Sequence, residues 1–325
     1  MKNYITSLVI FICALTMSSH AQIIAVQRGT NVVEEISTNT GSVTPLFNLP
    51  FTADFNTCMD YNPADGFLYI AEGRNGGYAD FYRLDLVANT ATYVKTISGL
   101  LNTPNTTITF IGFTPSGNVY ANCDVSGGGG NTLYLINWAT GNVQSLGSSG
   151  TPAMLGGDYD STRNVIWASD ESSGKVYQLS VANGSVLWTS TSTWSSGNAS
   201  PNYLGAVNIA LNGDILVSAS DSNGSVFRIL NVNPSTGLWT TNFSITANVT
   251  GNSLRFANPP PPPALGMTTY GGQPLVVLPA SVGSIYSLQM TTNIASGNWV
   301  TVTNGIPFTG VQIPNAPNAA FFRLH

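Results

Sequence analysis

Asp60, Asp158 and Asn208 are the residues best placed to do chemistry in this chain, since each holds the same position in a repeated segment, just ahead of a turn. Two carboxylates and a carboxamide offer the oxygen ligands that calcium or magnesium takes. A competing use is structural, because polar groups near packed strands accept backbone N–H bonds from their neighbours. Histidine chemistry is excluded within the folded part: His20 lies in an apolar leader and His325 is the last residue. No Ser-His-Asp or Cys-His arrangement and no imidazole-based zinc, copper or haem site can then be built. Glycoside cleavage by paired acids is also poorly served, since Glu34, Glu35, Glu72 and Glu171 all fall on or after second or third strands of the repeat.

Two further groups carry possible contacts. Glu72, Asp124, Asp170 and Asp221 end the second strands before turns rich in Gly or Ser. Short acidic side chains there cap exposed amides, with a loop calcium site as the alternative. Trp138, Trp167, Trp188 and Trp239 lie on patterned strands and read as packing, whereas Trp194 sits in a Ser-, Gly- and Asn-rich loop and is the candidate ligand contact.

The elements that position these residues repeat. Short apolar runs begin at Ile23, Leu68, Val119, Ile166 and Ile215, with spacings of 45, 51, 47 and 49 residues. A β-rich period in this range predicts a propeller, whose sheets are buried on both faces only when stacked around an axis. Each unit holds an inner strand (57–62, 108–114, 155–160, 204–210), a Gly or Asn turn, the second strand, a third strand such as Phe81–Leu84 or Val176–Leu179, a tight turn and an outer strand. The first unit starts at its second strand. Asn252–Ala257 has the length and place to supply the missing inner strand, so the predicted fold is an all-β, five-bladed propeller closed by a C-terminal inner strand. A sixth blade remains open in the long loops 100–105 and 191–202.

The strings Asp60-Tyr61…Leu68-Tyr69-Ile70-Ala71-Glu72…Phe81-Tyr82-Arg83-Leu84-Asp85 and Asp158-Tyr159…Ile166-Trp167-Ala168-Ser169-Asp170…Val176-Tyr177-Gln178-Leu179 resemble the secreted propellers with NHL, YVTN and SMP-30/gluconolactonase-like repeats. The resemblance covers about residues 23–257 and implies fold more than function. Gluconolactonase-like propellers hold a metal on inner-strand Glu, Asn and Asp. The resemblance therefore implies calcium at Asp60, Asp158 and Asn208, with departures: no glutamate, Gly112 in the third blade, and Ser253 or Arg255 on the closing strand.

Residues 1–21 read as a secretory signal peptide, with Lys2, an apolar run from Tyr4 to Met17 and Ser19-His20-Ala21 before the cut. That run is too short to span a membrane, and Cys13 lacks the small neighbour expected of a lipidated cysteine. Cys58 and Cys123 remain after cleavage and read as buried thiols, one disulfide being the alternative. Only 8% of residues are charged, with 15 acids against 10 bases, and the bases are scattered, so nucleic acid is excluded as a partner.

The propeller is expected over 22–257, a Pro-rich linker with Pro259–Pro263 over 258–272, and a small all-β module over 273–325. The string Tyr286-Ser287-Leu288-Gln289…Trp299-Val300-Thr301-Val302…Phe321-Phe322-Arg323-Leu324 resembles a fibronectin- or immunoglobulin-like, β-sandwich-like module that ends many secreted bacterial proteins. The leading expectation is a secreted, monomeric, non-catalytic scaffold whose partner is an extracellular glycan, peptide or protein. The alternative is a calcium-dependent lactonase or related hydrolase working through the three axial residues.

Overall fold

The computed structural model describes residues 22–54, 56–74, 77–100, 106–125, 131–151, 154–170, 173–191, 203–209, 213–220, 227–245, 254–257, 266–270, 273–277, 287–292, 300–304, 310–312 and 321–324. Every regular element among them is a strand. The first blade contributes β1 (Gln22–Gln27), β2 (Val32–Ser37) and β3 (Val43–Asn48). The second is β4 (Thr57–Asn62), β5 (Phe67–Arg74), β6 (Tyr78–Asp85) and β7 (Thr90–Ser98). The third is β8 (Thr106–Phe113), β9 (Asn118–Val125), β10 (Asn131–Asn137) and β11 (Val143–Gly147). The fourth is β12 (Met154–Asp160), β13 (Val165–Asp170), β14 (Lys175–Ser180) and β15 (Val186–Thr189), and the fifth β16 (Tyr203–Ile209), β17 (Ile215–Ser220), β18 (Phe227–Val232) and β19 (Trp239–Ser244). Each is a four-stranded antiparallel sheet in chain order, except that β20 (Leu254–Ala257) completes the first.

β20 pairs antiparallel with β1, setting Ala257 opposite Ile24 and Leu254 opposite Gln27. The two ends of the ring thus share one blade, which pairs the edge of β1 that would otherwise lie open. Five apolar clusters lie between consecutive blades, including one that joins Ile23, Ala25 and Ile36 to Leu216, Ile229 and Ile245 across the closure. Five joints for five sheets fix the blade count. Strand alternation explains how one sheet serves two joints: Tyr69 packs toward the third blade while its neighbours Leu68 and Ile70 pack toward the first. The second strands β13 and β17 are accordingly buried along their whole length.

The turn glycines are not ornamental. Gly41, at φ +69°, abuts the Ser244 carbonyl of the fifth blade, so any Cβ there would collide with backbone as well as strain the turn. At the perimeter, the pairing of third and outer strands slips by one residue in all five blades, between Val33/Glu34, Phe81/Tyr82, Leu133/Tyr134, Gln178/Leu179 and Ile229/Leu230. A bulge twists the outer strand away from flat edge-to-edge pairing with another molecule.

Cys58 and Cys123 are buried thiols in the joint between the second and third blades, not halves of a disulfide. Toward the C-terminus, β21 (Gly266–Tyr270), β22 (Gln273–Val277) and β25 (Gly310–Gln312) form one three-stranded sheet, and β24 (Val300–Asn304), β23 (Ser287–Thr291) and β26 (Phe321–Leu324) another. Strand pairing there reaches back to Gly266, inside the stretch expected to be linker. The prolines 259–263 and residues 1–21 lie outside the described residues. No helix among the described residues is long and apolar enough to cross a membrane.

Candidate functional site

The five inner strands present one equivalent rung near their C-terminal ends. Pairing with the second strands defines it: Asp60 faces Tyr69, Gly112 faces Tyr120, Asp158 faces Trp167 and Asn208 faces Leu216. On the closing strand the register puts Ala257 opposite Ile24 and Arg255 opposite Val26. The fifth member is therefore Ala257, which corrects the expectation of Ser253 or Arg255. Three of five positions carry side-chain oxygen.

The two aspartates tie adjacent blades together. Asp60 accepts the N–H of Tyr61 at 2.7 Å on its own strand and the N–H of Phe113 at 2.7 Å on the third blade. Asp158 repeats the geometry one joint further on, accepting Tyr159 N–H at 2.7 Å and Ile209 N–H at 2.8 Å on the fifth blade. Each carboxylate thus satisfies two amides that the inner edge of a sheet leaves without a strand partner. At the intervening joint Gly112 has no side chain to offer. The backbone of Tyr159 closes in instead, so that a Cβ on Gly112 would lie 2.8 Å from the Tyr159 nitrogen.

Asn208 is drawn into the second tie, its Nδ2 donating to Asp158 at 3.4 Å, while its own Oδ1 is buried without a hydrogen-bond partner. Burial pushes the Asp158 carboxyl up to about 7, against the pull of the Ile209 and Tyr159 amides. Asp60 is raised well above the ordinary carboxylate range by burial and then by the charge of Asp158, with the Phe113 and Tyr61 amides opposing. The two acids therefore titrate as a pair. Next to them Asp160 is held low: burial would raise it, but Arg163 donates to it through side chain and backbone, and Trp167 Nε1 donates at 3.2 Å.

Beyond this rung the inner strands close on a narrow space. Phe110, only 1% exposed, lies against Gly157, where a Cβ would run into its ring, and Cys58, Met59 and Ala206 line the same space. Phe110 packs with Leu133, Met154 and Ile166 in the joint between the third and fourth blades. Sequence patterning missed this contact across the joint, although a glycine pair at 156–157 in mid-strand was the available signal.

Trp194 lies outside the described residues. Trp167 is buried, and Trp138, Trp188 and Trp239 pack half-buried against the joints, as expected of core aromatics. Of the second-strand acids, Asp170 caps its turn by accepting Ser173 N–H at 2.8 Å. Glu72 instead meets Arg74 at 3.5 Å, and Arg74 reaches Asp80 at 2.7 Å, a partnership not foreseen from spacing. Asp221 is outside the described residues.

No family model matches the chain, and no curated protein matches it. Solved structures are similar in fold. TolB from Acinetobacter baumannii shares 14% identity at a TM-score of 0.44, over 80% of this chain and 61% of that one. A chain of a nidogen/laminin complex shares 12% identity at 0.45, over 79% and 85%. A putative 6-phosphogluconolactonase from Bacteroides fragilis shares 12% identity at 0.43, over 95% and 99%. This chain spans about three-fifths of the TolB chain it matches.

Proposed function

We propose that this chain is a secreted, non-catalytic propeller that binds an extracellular glycan, peptide or protein through the face carrying its long inter-strand loops, with the C-terminal sheets as an accessory module. One observation carries the reading: Asp60 and Asp158 each hold two backbone amides, one of them on the next blade. Acids so engaged act as ties between sheets. Recognition then falls to the periphery and loops, where rigid scaffolds usually place it. The test is a glycan and extracellular-protein array probed with the full chain. Saturable binding that persists in Asp158→Asn supports the reading, and loss of binding in that variant despite an intact fold refutes it.

A second reading, a calcium-dependent lactonase of the gluconolactonase-like kind, is favoured by the partnerless Asn208 Oδ1 beside two mutually repelling acids. Asp60, Asp158 and Asn208 would hold the ion through carboxylate and amide oxygens, although Gly112 and Ala257 leave two of five rung positions without a side-chain ligand. Calcium supplies charge that would stabilise an oxyanion. A calcium-dependent rise in melting temperature that vanishes in Asp158→Asn would establish this reading.

A further inference from the structure

The second blade differs from the others at its outer rim. Its strands β5, β6 and β7 run eight, eight and nine residues, and together they carry a chain of ordered polar groups. Asp80, 6% exposed, is the hub: Arg74 reaches it at 2.7 Å, and Thr96 donates its hydroxyl proton to it at 2.5 Å. With that proton spent, the 2.9 Å bond between Thr96 and Tyr93 has Tyr93 as its donor. Tyr93 also meets the edge of Tyr82 at a centroid distance of 5.8 Å, and Arg74 hydrogen-bonds the Tyr82 hydroxyl. The outcome is a tyrosine 54% exposed yet held at both ring and hydroxyl.

Folding has little use for an orientation this fixed, because a ring half in water contributes only part of its apolar area. Association does: a ring already held loses little freedom when a ligand covers it. Around it stand Thr96, Arg74, Glu72 and the Tyr82 ring, a mixture of donors and acceptors. Arg74 is one positive charge against the acids Glu72 and Asp80, so the patch is unsuited to sulfated, phosphorylated or uronic ligands. A hydroxyl-rich, uncharged ligand matches every feature, since its C–H face covers the ring and each hydroxyl both gives and takes a hydrogen bond. We infer that the Tyr93–Thr96–Asp80–Arg74 rim of the second blade is a binding site for a neutral saccharide. This rests on the binding reading above and names one ligand class and one place for it.

The experiment is calorimetric titration of the full chain with neutral oligosaccharides of β-1,4-glucan, β-1,4-xylan, β-1,4-mannan and β-1,3-glucan, repeated on Tyr93→Ala, Tyr93→Phe, Thr96→Val and the remote control Leu187→Ala. Melting temperatures of all variants confirm folding. At least one oligosaccharide is expected to bind the wild type. Tyr93→Ala weakens it about tenfold or more, Tyr93→Phe and Thr96→Val about two- to fivefold, and Leu187→Ala leaves it unchanged. Neutral-sugar binding that survives Tyr93→Ala overturns the site but leaves the binding reading standing. No neutral-sugar binding, with a protein partner captured in a Tyr93-dependent way, overturns the ligand class. No partner of any kind sinks both.

Discussion

The acids at the axis and the acids on the rim of the second blade are the same residue types put to opposite uses. Asp60 and Asp158 face inward, and each spans a joint by accepting amides from two strands, so their loss would be felt by the ring as a whole. Asp80 is as buried as Asp158, 6% against 7% exposed, but its partners Arg74 and Thr96 lead outward to an exposed ring. Burial alone does not say what a carboxylate does; the direction of its hydrogen-bond chain does. One chain ends on backbone, the other on a surface.

The comparison can be broken in graded steps. The largest effect is expected at the joint that lacks an acid: Gly112→Ala places a methyl against the backbone of Tyr159 and costs about 2–4 kcal/mol of stability, read by denaturant unfolding. Asp158→Ala follows, at about 2–3 kcal/mol, because the Tyr159 and Ile209 amides lose their acceptor inside the protein. Asp158→Asn keeps one acceptor oxygen and removes the repulsion with Asp60, so its loss is smaller, about 1 kcal/mol at neutral pH. The smallest effect belongs to Tyr93→Ala, below about 0.5 kcal/mol, since the side chain is 54% exposed. A loss of several kcal/mol at Tyr93 would mean that the rim network serves the fold and not a ligand.

Proton linkage sharpens the same contrast. The folded Asp158 titrates near 7, above the unfolded carboxylate at about 3.9, so between those values the folded state holds a proton that the unfolded state has released. Stability from this group is full below about pH 4 and is lost as pH rises through 7. The wild type should therefore melt at progressively lower temperature from pH 4 to 7. Asp158→Asn should make that slope shallower, the remainder coming from Asp60, which burial still raises.

Much of this was legible in the chain. The period, the Gly turns and the orphaned first unit together foretold five blades and the closing strand, because short hairpins write their turn chemistry locally. The rung of Asp60, Gly112, Asp158 and Asn208 could be counted back from those turns. Its fifth member could not, since β20 runs toward prolines and offers no hairpin to count from; only pairing with β1 reveals Ala257. The bulge residues Leu46, Val94, Leu146, Leu187 and Asn242 were illegible for a related reason: one extra residue in an outer strand looks like a lapse of alternation. Phe110 against Gly157, and Thr96 with Asp80, join different strands or blades, where spacing along the chain carries no signal.

The most direct test of the axial ties is thermal unfolding of the wild type and Asp158→Asn from pH 4 to 8, each with and without millimolar calcium. The ties predict a wild-type melting temperature that falls across pH 4 to 7, a shallower fall in the variant, where burial still raises Asp60, and no response to calcium in either. A flat wild-type profile, or a calcium-induced rise confined to the wild type, would contradict them.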